Sequence, residues 1–324
     1  LYGLTGSLNM AHIFTLIGGG GGRTPAVSFA LALFIMGFGL KAALVPFHAW
    51  LPDAHPAAPA PISAMLSGVL IKVLGMYALA RLIFGVFAAD PLARTILVVI
   101  GGLSMVVGGL AAAGQDDLKR LLAYSTINQM GFVAVGLGVA TPLALLGALF
   151  HFLNHAIQKS LLFLCSGSVE YSTGTRLLSR LPGLRTRLPV TAAGATIGFL
   201  SISGIPPFGG FWSKLLVIIG CIQAGRFGIA GVAVAASFLS MVYFMRAQRA
   251  FLFAEEEGGA RGTGGAREEA IRETPFLMWL PVMVLALACL GVVVILPVLS
   301  LYVLEPAREA LLDSQGYIDL VLGR

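Results

Sequence analysis

Two stretches decide how this chain folds: Val45-Pro46-Phe47-His48-Ala49-Trp50-Leu51-Pro52-Asp53-Ala54-His55-Pro56 and Ser203-Gly204-Ile205-Pro206-Pro207-Phe208-Gly209-Gly210. Each interrupts a run of apolar residues. Proline lacks an amide hydrogen and its ring clashes with the preceding turn, so neither stretch can continue a regular helix. A helix broken at membrane depth frees carbonyls and amides that lipid cannot satisfy. Such breaks persist only when they are buried in protein or line a wet cavity. The two breaks share a pattern, Pro46-Phe47-x-x-Trp50 and Pro207-Phe208-x-x-Phe211, and each has a lysine within one or two turns, Lys41 and Lys214. Paired broken helices in corresponding positions of two halves point to a transport site. Two unrelated proline kinks are the competing explanation; the shared lysine counts against it.

Around these breaks the sequence is that of an all-α polytopic membrane protein. Hydrophobic residues make up 57% of the 324 positions and charged residues 11%, too little polar surface for a soluble domain of this size. Apolar runs bounded by Gly, Pro and charges predict about eight spans, at 26–45, 62–86, 94–113, 119–140, 143–169, 188–224, 227–253 and 275–303. The formal charge of +6 is dispersed and has no aromatic-basic patch, which argues against nucleic acid as a partner. Cys165, Cys221 and Cys289 each sit alone in an apolar run. Without C-x-x-C spacing they read as small hydrophobes, not metal or cluster ligands. The chain starts at Leu1, and further helices are expected upstream of it.

Loop charges set an expected orientation. Counting alternate sides, one face holds Lys119, Arg120, Arg176, Arg180, Arg185, Arg187, Arg246, Arg249, Arg261, Arg267 and Arg272, and the other Arg23, Arg81, Arg94, Arg226, Arg308 and Arg324. The richer face is expected to be cytoplasmic, which places the C-terminus outside. The Gly-, Glu- and Arg-rich segment 255–274 reads as a flexible cytoplasmic loop with solvated charges.

The chain has five lysines, and four of them (Lys41, Lys72, Lys159, Lys214) lie inside apolar stretches, whereas the sixteen arginines fall in loops or near helix ends. That split matters because a buried lysine can shed its proton near neutral pH and arginine effectively cannot. An ionisable group at membrane depth is costly and by default marks an ion pathway. In Phe150-His151-Phe152-Leu153-Asn154-His155-Ala156-Ile157-Gln158-Lys159, His151, His155 and Lys159 recur every fourth residue. They therefore stack on one helix face, about 6 Å apart in rise per step. Three exchangeable groups on one stripe form a relay; the alternatives are a polar face at a subunit contact, or a zinc site lacking a visible third ligand. Lys72 sits near the middle of its span, too deep to snorkel to the surface. Lys41 and Lys214 border the breaks, where stabilising the freed carbonyls is a structural role compatible with proton transfer. His48 and His55 flank the first break and read equally as satisfied caps or pathway members.

The fifteen acids all fall in loops or near span ends, so several buried bases have no in-span carboxylate. An unpaired buried ammonium deprotonates or draws in water unless a neighbour supplies negative charge. The expected acidic partner lies in upstream helices or an adjacent subunit. Asp116-Asp117-Leu118-Lys119-Arg120 reads as a charged helix start that anchors its span, and Glu170 as a helix end or a pathway exit.

At these residues the chain resembles the antiporter-like, proton-conducting membrane subunits shared by respiratory complex I, Mrp cation/proton antiporters and membrane-bound hydrogenases. The matching blocks are Gly39 through His55, Ser63 through Lys72, Asp117 through Ser125, His155 through Phe163 and Gly204 through Lys214. The stretch Asp53 through Pro61 looks more like the Mrp and hydrogenase branches than complex I. The resemblance implies two inverted five-helix repeats, each with one broken helix. Residues 1–86 would then be the end of the first repeat (broken helix 26–61, helix 62–86) and 87–254 the second, with its broken helix at 188–224. The loop 255–274 and a C-terminal span and tail, 275–324, would follow. It implies a polar axis along the membrane midplane through Lys41, Lys72, His151, His155, Lys159 and Lys214; His48 joins the expected proton pathway from its place beside the first break. It also implies a glutamate upstream of Leu1 paired with Lys41.

The expected function is proton translocation along this Lys/His axis within a multisubunit membrane complex, coupled to redox chemistry or to exchange of a cation such as sodium. The alternative is a membrane anchor for a soluble redox module, which would need no titratable midplane groups. No cluster, haem or nucleotide motif points to a redox centre of the chain's own, so no cofactor is expected. The expected setting is a prokaryotic plasma membrane or an inner mitochondrial-type membrane.

Overall fold

The computed structural model describes residues 1–18, 24–181, 183–253 and 271–323. Residues 255–270 of the predicted loop 255–274 and the charges Arg23, Arg261, Arg267 and Arg324 lie outside them. The described residues are helical nearly throughout, with a single isolated bridge between Asp117 and Leu177. In chain order the helices are α1 Tyr2–Thr5, α2 Met10–Gly18, α3 Pro25–Lys41, α4 Leu51–Ala57, α5 Ala60–Gly85, α6 Pro91–Ala113, α7 Leu118–Val139 and α8 Pro142–Thr173. Then follow α9 Pro189–Ser203, α10 Gly209–Gln223, α11 Phe227–Phe253, α12 Phe276–Val294, α13 Glu305–Leu312 and α14 Ser314–Leu322. Five of these, α5, α6, α7, α11 and α12, are long and apolar enough to cross a membrane by length and composition. Three shorter apolar helices, α3, α9 and α10, make up the two broken segments.

Helix starts follow a repeated local rule. Thr24, Asp90 and Thr141 each precede a proline, and each side chain accepts a backbone amide of the first turn. The cap satisfies an orphan amide, and proline at the first position has none to lose. The start of α9 is capped from a distance instead: Glu273 accepts Val190 N at 2.8 Å, Thr191 N at 3.2 Å and Thr191 Oγ1 at 2.7 Å.

Both breaks fall where the prolines placed them. After α3, Ala43 takes φ 54°, Leu44 N reaches back to Gly39 O, and Phe47 N bonds Leu44 O before α4 begins. After α9, Gly204 takes φ 84°, Ile205 N reaches back to Leu200 O, and Phe208 N bonds Ile205 O before α10. Val45-Pro46 and Pro206-Pro207 are both cis. The freed groups are taken up locally and by a neighbour: Ser104 Oγ of α6 accepts Val45 N at 2.9 Å, and Trp50 Nε1 of the broken segment itself donates to Leu40 O at 2.9 Å. In the second break a Cβ on Gly210 would strike the carbonyl of Ser201, so only glycine allows α10 to fold back so closely.

Helices α7 and α8 form the centre. α7 is buried over 94% of its most apolar window and packs on α6 and α8; α8 in turn receives α9, α10, α12 and the first half of α5. The expected single span 275–303 differs: α12 ends at Val294, and Pro297 opens a second helical run, which widens to π geometry over Ser300–Leu304 and continues directly into α13. From there the chain crosses to the other half of the bundle. α13 packs on α5 and α8, α14 on α2, Ser314 Oγ donates to Phe84 O at 2.9 Å, and Arg81 sits 4.9 Å over the Tyr317 ring.

Candidate functional site

Five of the sequence-predicted residues come together. Lys72, His151, His155, Lys159 and Lys214 are each 3% exposed or less, although a lone ammonium in such surroundings is among the costliest groups to bury. α8 sets three of them by its repeat: the His151 and His155 rings lie 6.1 Å apart along its inner face, with Lys159 one turn beyond. His151 Nδ1 and Ser213 Oγ of α10 are 2.9 Å apart. Among the described residues, His151 Nε2 and both nitrogens of His155 have no hydrogen-bond partner. His155 is the junction, within electrostatic reach of Lys72, Lys159, His151 and Lys214.

Each lysine of the strip is held by neutral oxygens. Lys214 donates to the carbonyls of Ile202 (2.9 Å) and Ser203 (3.3 Å) and to Ser240 Oγ of α11 (3.0 Å). The two carbonyls are those left over where α9 stops, so the lysine caps the break. Phe132 lies 5.5 Å from the same ammonium. Lys159 donates to Leu122 O (2.6 Å) and to Ser125 Oγ, both on α7. Lys72 sits where α5 widens to π geometry over Leu66–Tyr77, and donates to the Ser67 carbonyl. Such widened turns cluster at functional sites. Ser67 Oγ meets Thr126 Oγ1 at 3.0 Å, and Thr126 Oγ1 donates to Leu122 O at 3.0 Å, the same carbonyl that accepts Lys159. Ser67 thus lies between the two lysines, its carbonyl taking Lys72 and its hydroxyl leading through Thr126 to the carbonyl that holds Lys159. Among the described residues, none of these three lysines has a carboxylate ion-pair partner.

Two predicted residues stay outside the strip. Lys41, the last residue of α3, is exposed, and His48 in the first break is half-buried, with its Nδ1 enclosed and unpartnered. Pro46, Gly204, Pro206 and Pro207 lie in the two non-helical stretches that separate α3 from α4 and α9 from α10. Lys119 departs from its reading as a surface anchor. It is 3% exposed and pairs with Glu170 Oε2 at 2.7 Å, while also donating to Ala58 O at 3.2 Å. Glu170 and Asp117 both meet Arg176, at 3.5 and 2.6 Å. Sequence reading also passed over Ser67, Ser125, Thr126, Ser213 and Ser240. Their signal was available: Ser125-Thr126-Ile127-Asn128-Gln129 places four polar side chains inside a span. Among the described residues no three His, Cys, Asp or Glu side chains converge as a metal set would.

The fold and the strip define a class: an antiporter-like helical membrane protein with two broken helices around a buried file of titratable amines and imidazoles. The chain belongs to the family described as NADH:quinone oxidoreductase/Mrp antiporter, TM, whose profile matches residues 1–240. It is 39% identical over 303 residues to NADH-quinone oxidoreductase subunit N of Desulforudis audaxviator (strain MP104C), covering 91% of this chain and 59% of that protein. It is 41% identical over 225 residues to hydrogenase-4 component B of Escherichia coli (strain K12), covering 65% and 33%. A structure of the Mrp complex from Dietzia sp. DQ12-45-1b superposes with a TM-score of 0.87 at 28% identity, covering 99% of this chain and 65% of the matched one. The chain thus spans between a third and two thirds of the length of these relatives.

Proposed function

We propose that this chain is the proton-translocating part of an antiporter-like subunit in a multisubunit membrane complex, its turnover driven by redox chemistry or cation exchange elsewhere in the assembly. The observation that carries this reading is the enclosure of three lysines and two histidines in one strip without a carboxylate among the described residues. Like charges this close in a low-dielectric interior cannot all be protonated at once, so a proton arriving at one site displaces a proton from the next. Lys72 and Lys214 lie towards the two breaks, and His151, His155 and Lys159 connect them. On this reading Lys41 and His48 complete the file at the first break, where a carboxylate from a preceding segment or a neighbouring subunit pairs with Lys41. Residues 1–86 are the end of one inverted repeat and 87–254 the other. The chain works in a prokaryotic plasma membrane or an inner mitochondrial-type membrane, with the Lys119 and Arg176 face cytoplasmic and the C-terminus outside.

The test is proton and sodium uptake by vesicles holding the assembled complex, with Lys159→Ala and Lys214→Ala. Loss of proton uptake at normal assembly is the expected result. Unchanged uptake in both variants would mean that the chain is an anchor.

A further inference from the structure

The strip ends at Lys159, and a second cluster begins on the far side of one aromatic ring. Phe163, one turn beyond Lys159 on α8, has the lysine ammonium 6.0 Å from its centroid and the His55 imidazole stacked on it at 4.4 Å and 25°. His55 is fully buried, and neither ring nitrogen has a hydrogen-bond partner among the described residues. A stacked histidine with two orphaned nitrogens is poorly explained as packing, because a phenylalanine would fill the space without that cost. Its backbone is held firmly: Ser63 Oγ donates to His55 O at 3.1 Å, Arg176 to Pro56 O at 3.0 Å and Lys119 to Ala58 O at 3.2 Å. Lys119 and Lys159 are the charged groups within electrostatic reach of the ring. Lys119 is buried, but its partner Glu170 is 38% exposed. Buried base, buried ammonium and part-exposed carboxylate thus run in order from Lys159 to the surface.

We infer that His55, Lys119 and Glu170 form the route by which protons pass between Lys159 and the membrane surface bearing Arg120 and Arg176, with Phe163 closing it in this conformation. The inference rests on the proton-translocation reading. When the Phe163 ring swings aside, the Lys159 ammonium gives its proton to a free nitrogen of His55 and becomes a neutral amine. Imidazolium beside Lys119 is repelled, and passes the proton through water to the Glu170 carboxylate. The neutral acid releases Lys119 and loses the proton to solvent; the same steps reversed load the strip.

The test uses the complete subunit in its assembled complex, in vesicles. His55→Ala is expected to lower proton flux at least about tenfold. Added imidazole should restore flux, whereas pyrazole, of the same size and far less basic, should not. Phe163→Ala should raise passive proton permeability with turnover stopped. If His55→Ala does not assemble, His55→Phe keeps the stack and should show the same loss. Full flux in the His55 variant, or equal rescue by pyrazole, overturns the route. Lys159→Ala separates the two ideas: lost flux there with normal flux in the His55 variant sinks the route alone. Normal flux in both sinks the translocation reading, and the route with it.

Discussion

At the scale of single residues, the informative contrast is between lysine and arginine. Lys214 makes three hydrogen bonds that a guanidinium could largely imitate, but a guanidinium cannot become neutral. Lys214→Arg is therefore expected to keep assembly and cut proton flux by about 100-fold, measured as uptake in vesicles. An anchor would tolerate the change. The legible residues were those whose message is local: His151, His155 and Lys159 announce a shared face by their spacing. Lys119 was misread because Asp117 before it is a cap signature, and Asp117 does cap, accepting Lys119 N at 2.8 Å. Nothing local tells that the side chain turns inward to Glu170, 51 positions along the chain. Lys72 and Lys159 were legible singly, but their link through Ser67 and Thr126 depends on how α5 meets α7.

At the scale of elements, the second break is a helix end whose C-terminal carbonyls are satisfied by an ammonium from the following segment. Two consequences can be measured. Gly210→Ala forces the Ser201 carbonyl away, an overpacking cost of about 1–3 kcal/mol, and should lower the thermal midpoint of the assembled complex. When Lys214 releases its proton, the bonds to Ile202 and Ser203 lose their charge assistance, which roughly halves their strength. Protection of the amides of residues 202–205 and 208, taken relative to their base-catalysed intrinsic exchange, should therefore fall as pH rises, and Lys214→Met should be poorly protected at every pH. Glu273 provides a complementary case at the other end of α9: Glu273→Ala removes the cap and should cost about 0.5–2 kcal/mol, read by the same thermal scan. Both breaks could be placed from their prolines. The capping carboxylate could not, because it comes from more than eighty residues away.

At the scale of the whole molecule, the C-terminal segment matters most. α12 packs against α8, α9 and α10, while α13 and α14 lie against α2, α5 and the other end of α8. Ile318 is fully buried in that second contact, so Ile318→Ala should destabilise the chain by about 2–5 kcal/mol, measured by denaturant or thermal unfolding of the assembled complex. The hydropathy of 275–303 suggested one continuous span because Pro297 is flanked by apolar residues on both sides; its return across the bundle is a tertiary event. That return works as a belt buckled over both halves. A carrier that rocks its halves to expose a site first to one side and then to the other would have to unbuckle it at every cycle. On the proposed reading the frame stays still while charge hops through it, and turnover should survive a covalent cross-link between the belt and the helices beneath.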